Sequence, residues 1–490
     1  MKHKYHLHPW ELKWHRQYRT WRQSRFGLEV LKRVPEHIIN RIPYEAIPLW
    51  IAAILTGLFA VLYEKLFEIF QEAAIWIFHQ LPYWIFLTTP ILFLLAWHTV
   101  DKYGKSAAGS GIPQLMASVS LADTRKKWYV DYLLSVRVII TKVISSILLI
   151  LGGGAIGREG PTLQIAGSIY EIIYRLIPTG WSKVSQKIMI ITGGASGLAA
   201  AFNTPLGGIV YVVEELTKSH IGKFRTAVFS AVIISGMTAQ LFLGSYLYLG
   251  FPKVGKIPLI GFLWVILFAF ISGWFGAFFS KVLLYIDARR IKITDKRLRI
   301  LVVVALGLLF ATLVFYTGVN SMGAGKSVMN EVLFSDIEMP WYTFPARFMG
   351  AVLSFSVGGA GGIFATSLAS GASLGSLVVS IIQIDPVYHN LLVLVSMIGF
   401  LTGVTRSPFT AAILVLEMTD RHSAIFYFLL AGIVSNLAAS LLMKESFYEI
   451  RKEEILEKVS AIVKIKAKEK AASEKAALEL KKSQESNPDL

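Results

Sequence analysis

Long runs of apolar residues constrain this chain more than any other feature. They occur around residues 47–63, 84–97, 136–151, 262–284 and 300–316, with several more as far as Leu442. A helix needs roughly 20 mainly apolar residues to cross a bilayer, and in lipid it must satisfy its own backbone hydrogen bonds. The runs therefore predict an all-α, polytopic membrane protein. Composition agrees: 54% of the 490 residues are hydrophobic and 17% are charged, below the roughly 25% of globular domains. The run at 136–151 carries Arg137 and Lys142, whose charged tips are expected to snorkel outward from a first turn near the headgroups or facing protein.

The net charge of +17 would suit a nucleic-acid partner only if it covered a soluble face. Instead Lys and Arg gather at the ends and between the spans, the pattern of positive-inside topology, so no nucleic acid is expected. Residues 1–44 form a basic segment in which Trp10, Trp14, Trp21 and Phe26 interleave with Lys and Arg, as in a cytoplasmic helix lying on the membrane surface. No apolar stretch of about seven or more follows the basic start, so a signal peptide is not expected. Basic loops at 125–127, 218–225 and 289–299 are assigned to the same side. Residues 451–490 read as a solvated, charged cytoplasmic helix that frays toward its end, with no folded regulatory domain. Without cysteine there is neither a disulfide nor a thiolate metal site, and no cofactor is expected.

Between the spans lie apolar segments too short to cross, at 160–174, 205–213, 362–377 and 408–416, each opened by Gly, Pro or both. Broken helices of this kind mark binding sites in transporters, because a backbone can end inside the membrane only where protein or a watery cavity satisfies it. Asn203-Thr204-Pro205-Leu206 through Val213-Glu214 matches Arg406-Ser407-Pro408-Phe409 through Leu416-Glu417 at a constant offset of 203. The transport domain, 45–450, is thus expected to comprise two related halves, roughly 45–217 and 226–443. The alignment pairs Glu214 with Glu417 and leaves Glu215 opposite Met418, so the first two carboxylates read as structural and Glu215 as the unusual one.

Three glycine-rich openings share one design: Gly109-Ser110-Gly111-Ile112-Pro113, Gly157-Arg158-Glu159-Gly160-Pro161 and Gly361-Gly362-Ile363-Phe364-Ala365. Each reads as a helix N-terminus. Glycine admits a ligand close to the backbone, proline is favoured in the first turn, and the free N–H groups with the helix dipole amount to about half a positive charge. Three such ends would attract an anion and still release it, which a full Lys or Arg at the site would not. A carboxylate at such an end is itself an anion, so Glu159 should occupy the site when ionised and leave it when protonated. Glu215 stands at the end of the run from Pro205, beside a basic loop, where a proton can enter from water.

In their order, GSGIP at 109–113, GREGP at 157–161, GIFA at 362–365 and the late Tyr448 resemble the CLC family of chloride channels and chloride/proton antiporters, over roughly residues 45–450. The resemblance is to the prokaryotic type without C-terminal regulatory domains. It implies about 18 tilted and broken helices in two inverted-topology repeats, and a homodimer with one anion pathway per subunit. It further implies that Ser110 and Tyr448 coordinate the anion through their hydroxyls, that the 109–113 opening contributes Gly111, and that backbone N–H groups of Ile363 and Phe364 contribute from the third end. Glu159 becomes the external gate and Glu215 the internal proton acceptor, since the family's exchangers carry Glu there. Two positions depart from the pattern: Thr366 stands where Pro often follows GIFA, and Gln114 where an acidic residue is common. Ser110 points to chloride over nitrate.

The expected function is chloride/proton exchange across a cell (inner) membrane with both termini cytoplasmic; the alternative is a passive gated chloride channel of the same fold. An enzyme is not expected. Gly152, Gly154 and Gly157 satisfy GxGxxG, but the preceding apolar stretch is too long for a strand, and Gly325-Lys326-Ser327 lacks the first glycine of a phosphate loop.

Overall fold

The computed structural model describes residues 36–124, 126–177, 184–216, 225–244, 248–255, 261–335 and 339–463, with backbone alone for 36–45 and 225. The basic segment up to residue 35, most of the 218–225 loop and the tail from 464 lie outside the described residues, so the readings made of them stay untested.

The described chain is built of helices. Helix α1 (Glu36–Gln80) is followed by α2 (Ile85–Tyr103), the short α3 (Ile112–Leu121) and α4 (Val136–Leu151). Then come α5 (Glu159–Leu176), α6 (Gln186–Phe202), α7 (Pro205–Tyr211) and α8 (Arg225–Leu243). Next come the 31-residue α9 (Gly261–Ile291), α10 (Lys296–Thr317), α11 (Lys326–Phe334) and α12 (Thr343–Ser356). The described chain closes with α13 (Phe364–Ile382), α14 (His389–Thr405), α15 (Pro408–Thr419) and α16 (Ile425–Ser440), and a last helix, α17, spans 447–463. Among the described residues, nine helices are long and apolar enough to cross a membrane.

One of the nine is α13, which corrects the expectation that 362–377 is too short to cross. The helix continues through Ser380, Ile381 and Ile382 and stops only where Gln383 turns left-handed, at φ 54°. Its most apolar window is 72% buried inside the protein, which is why a helix carrying Thr366, Ser367, Ser370, Ser373 and Ser376 is tolerated at this depth.

The two halves match in backbone as in sequence. Helices α6 and α14 end on left-handed residues, Asn203 at φ 54° and Arg406 at φ 62°, and each is followed by one extended residue and a proline that starts the next helix. Proline fits a first turn because its missing N–H would be unpaired there anyway. Close helix contacts rest on small residues: a Cβ on Gly276 of α9 would strike the carbonyl of Phe400 and approach Gly403 of α14.

Helix α17 runs across residue 450, where the transport domain was expected to give way to a solvated tail. The Ser446 hydroxyl caps it by accepting the Glu449 N–H at 2.9 Å, Val459 is buried, and Lys126 Nζ donates to Ser460 Oγ at 2.8 Å. The early tail is therefore packed, and it holds Tyr448 at a fixed helix start.

Candidate functional site

The three glycine-rich openings meet. Gly157 and Gly362 exchange both backbone hydrogen bonds, at 2.8 and 2.7 Å, while Gly109 donates to Gly359 at 2.7 Å and accepts from Gly361 at 3.2 Å. These four bonds tie the starts of α3, α5 and α13 together and satisfy backbone that lipid cannot. Gly109 and Gly111 take positive φ, 66° and 97°, which turns the chain sharply into Ile112 and Pro113 at the start of α3. The Ser110 hydroxyl sits where a Cβ on Gly160 would be, so the α3 and α5 ends are in direct contact beside Pro161. Ile363 caps α13 and Phe364 begins it; both are buried.

Tyr448 joins them from the first turn of α17. It is 1% exposed, which sets it apart from an interfacial anchor, and its hydroxyl lies beside that of Ser110. Neither hydroxyl has a settled hydrogen-bond partner in the protein. Two buried donors left open against converging helix N-termini are what an anion would complete. From Ser110 a vestibule of about 390 Å³ opens past Gln114, Arg290, Phe447 and Arg451.

Glu159 begins α5 and is 1% exposed. Its carboxylate lies against Gly157 and faces its own N–H and that of Ala365, so it sits among the helix ends it was expected to contest. A purely structural role would be an ion pair with the adjacent Arg158. Arg158 instead pairs with Glu64 of α1 at 2.6 Å, both side chains buried.

Glu215 lies in a single π-helical turn, Val212–Leu216, that continues α7. Such turns are rare and often mark functional sites, because the extra residue re-aims the side chains around it. The Glu214 carboxylate accepts the N–H groups of Phe409 and Thr410, at 3.1 and 2.6 Å, whereas Glu215 accepts the Ser407 hydroxyl at 2.6 Å. Glu417 accepts the N–H groups of Leu206 and Gly207 at 3.0 and 2.7 Å. Glu215, Ser407, Tyr211, Phe364 and Tyr448 line one narrow cavity.

Several participants escaped the sequence reading. Lys142 does not snorkel: it is fully buried, and its Nζ donates to the Gly109 carbonyl at 3.0 Å, placing an amine one layer behind the first glycine loop. A lysine inside an apolar run was the available signal, because such residues usually face the protein interior. Gln114, one of the two departures, donates to the Ala108 carbonyl at 2.7 Å and so braces the same loop. Thr366, the other, is buried in the first turn of α13 with its hydroxyl unpaired. Among the described residues no group of three or more His, Asp or Glu is arranged to hold a metal.

The sequence signature described as "Voltage gated chloride channel" matches residues 91–440. Among solved structures, the fold is similar to a slow cyanobacterial Cl⁻/H⁺ antiporter, with TM-score 0.73, 20% identity, and coverage of 84% of this chain and 98% of that one. It is also similar to a CLC-type fluoride/proton antiporter, with TM-score 0.68, 19% identity and coverage of 88% and 99%. A eukaryotic CLC transporter matches with TM-score 0.67 and 20% identity over 82% of this chain and 73% of that one.

Proposed function

The chain belongs to the voltage-gated chloride channel family, and from that premise we propose that it is a secondary transporter that exchanges chloride for protons. The observation that carries this reading is the buried Glu159 carboxylate, free of an ion pair with Arg158 and set among the N-termini of α5 and α13.

In this reading the chloride is held by the Ser110 and Tyr448 hydroxyls and by N–H groups of Ile363 and Phe364, with Gly111 and the α3 end adding partial positive charge. No full charge touches the ion, so binding stays weak enough for release. The ionised Glu159 carboxylate competes for the same electropositive spot. Protonation removes its charge, it gives way, and chloride enters; the proton it carries leaves on the opposite side. Glu215, hydrogen-bonded to Ser407 beside the cavity that reaches Tyr448, is the internal proton acceptor. The transporter works as a homodimer with one pathway per subunit, in a cell (inner) membrane with both termini cytoplasmic. The antiporter relatives named above support exchange over passive conduction.

The test is the purified protein in liposomes with an outward chloride gradient and the voltage clamped near proton equilibrium. Proton uptake driven by chloride efflux is expected. Chloride efflux with no proton movement would make the protein a passive channel and reduce Glu215 to an interfacial charge.

A further inference from the structure

Tyr211 closes α7 immediately before the π turn that carries Glu215. It is 2% exposed, and its buried hydroxyl has no hydrogen-bond partner. A phenol with an unpaired hydroxyl costs about 1–3 kcal/mol relative to one that is satisfied, and phenylalanine would fill the same space without that cost. Its position accounts for the hydroxyl: Tyr211 lines the cavity shared by Glu215, Ser407 and Tyr448, and it lies within electrostatic reach of both Glu215 and Tyr448. Tyr448 in turn lies beside Ser110 and within reach of Glu159. The cavity as it stands has no room for a water molecule, so a side chain that can both accept and donate a proton is well placed to bridge it.

We infer that the Tyr211 hydroxyl is a proton relay between Glu215 and the anion site. This rests on the exchange reading given above. The step conserves protons: protonated Glu215 gives its proton to a lone pair of the Tyr211 oxygen as Tyr211 releases its own hydroxyl proton toward the anion site. Glu215 is left as the carboxylate, the phenol is never ionised, and the Glu159 carboxylate accepts the proton when it occupies the site. Rotation of the hydroxyl resets the relay. The side chain that best meets these demands is one that both donates and accepts through a single atom, which is the property tyrosine adds to phenylalanine.

The experiment measures chloride and proton fluxes together in liposomes containing wild type, Tyr211→Phe, Tyr211→His or Glu215→Gln. Tyr211→Phe is expected to retain chloride flux while its proton flux falls at least tenfold, like Glu215→Gln, and Tyr211→His, which can again donate and accept, should recover part of the proton flux. An unchanged proton-to-chloride ratio in Tyr211→Phe beside coupled wild type would overturn the relay and leave exchange intact. Loss of both fluxes in Tyr211→Phe would make Tyr211 a packing residue and overturn it as well. If wild type itself moved no protons, the exchange reading would fail first and the relay with it.

Discussion

Glu214 and Glu417, 203 positions apart, each cap the helix that leads to the other. Glu214 at the end of α7 accepts two N–H groups at the start of α15, and Glu417 near the end of α15 accepts two at the start of α7. A carboxylate on the first N–H groups of a helix satisfies donors that have no intrahelical partner and meets the positive end of the dipole. The reciprocity is the repeat made visible, and it frees Glu215 from the structural role of its neighbour.

Glu417→Ala should therefore lower the thermal stability of the detergent-solubilised protein, by about 0.5–2 kcal/mol, the usual cost of a lost cap. Glu214→Ala should cost more, because its carboxylate also accepts the Thr410 hydroxyl. Equal midpoints for wild type and both variants in a thermal melt would contradict this.

In the exchange reading, Glu159→Ala removes the tethered competitor. Chloride flux should persist and lose its acceleration in acid, and a chloride gradient should no longer drive protons. The measurement is chloride efflux and external pH between pH 4.5 and 7.5; proton pumping by this variant would place the gate elsewhere.

Glu64→Gln leaves Arg158 buried without its ion-pair partner. Breaking a buried pair from one side costs about 3–5 kcal/mol, whereas replacing both members with apolar residues is often far milder. Glu64→Gln should reduce the yield of folded protein sharply, and Glu64→Leu with Arg158→Leu should recover part of it. Size-exclusion profiles of the three proteins decide the matter.

Lys142→Met deletes the donor to the Gly109 carbonyl. Chloride affinity, measured by calorimetry, should fall about tenfold, or 1.4 kcal/mol, while the proton-to-chloride ratio of transport is kept. Unaltered affinity would mean that the ion does not depend on this amine.

Ser110→Ala and Tyr448→Phe each remove one open hydroxyl beside the converging helix ends. At about 0.5–1.5 kcal/mol for a hydrogen bond, each should weaken chloride binding by roughly 2- to 12-fold, with folding unchanged. Wild-type affinity in both would move the anion away from these hydroxyls.

Much of the candidate site was legible because its signals are local. The glycine openings announce helix starts through residues adjacent in the chain, and the offset of 203 between Pro205 and Pro408 is visible without any contact map. The asymmetry between Glu215 and Met418 needed only that alignment. What escaped depends on partners far away in sequence: Lys142 reads as a charge snorkelling outward until Gly109 is seen beside its amine, and nothing near Arg158 in the chain announces Glu64 of α1 as its partner. The end of α13 was set too early: the helix runs on through Ser380, Ile381 and Ile382 to the left-handed Gln383. The π turn, and with it the placement of Tyr211, has no sequence signature of this kind.

The paired backbones of Gly157 and Gly362 carry a consequence for biogenesis. About 200 residues of chain separate the two, and at roughly 5–20 residues per second a ribosome needs about 10–40 s to bring the second after the first. During that interval Gly157 has neither of its hydrogen bonds to Gly362, and bare polar backbone is not tolerated in hydrocarbon. The first half of the protein must therefore wait in a sheltered, partly hydrated setting at the insertion machinery, and only the arrival of the second half allows it to settle into lipid.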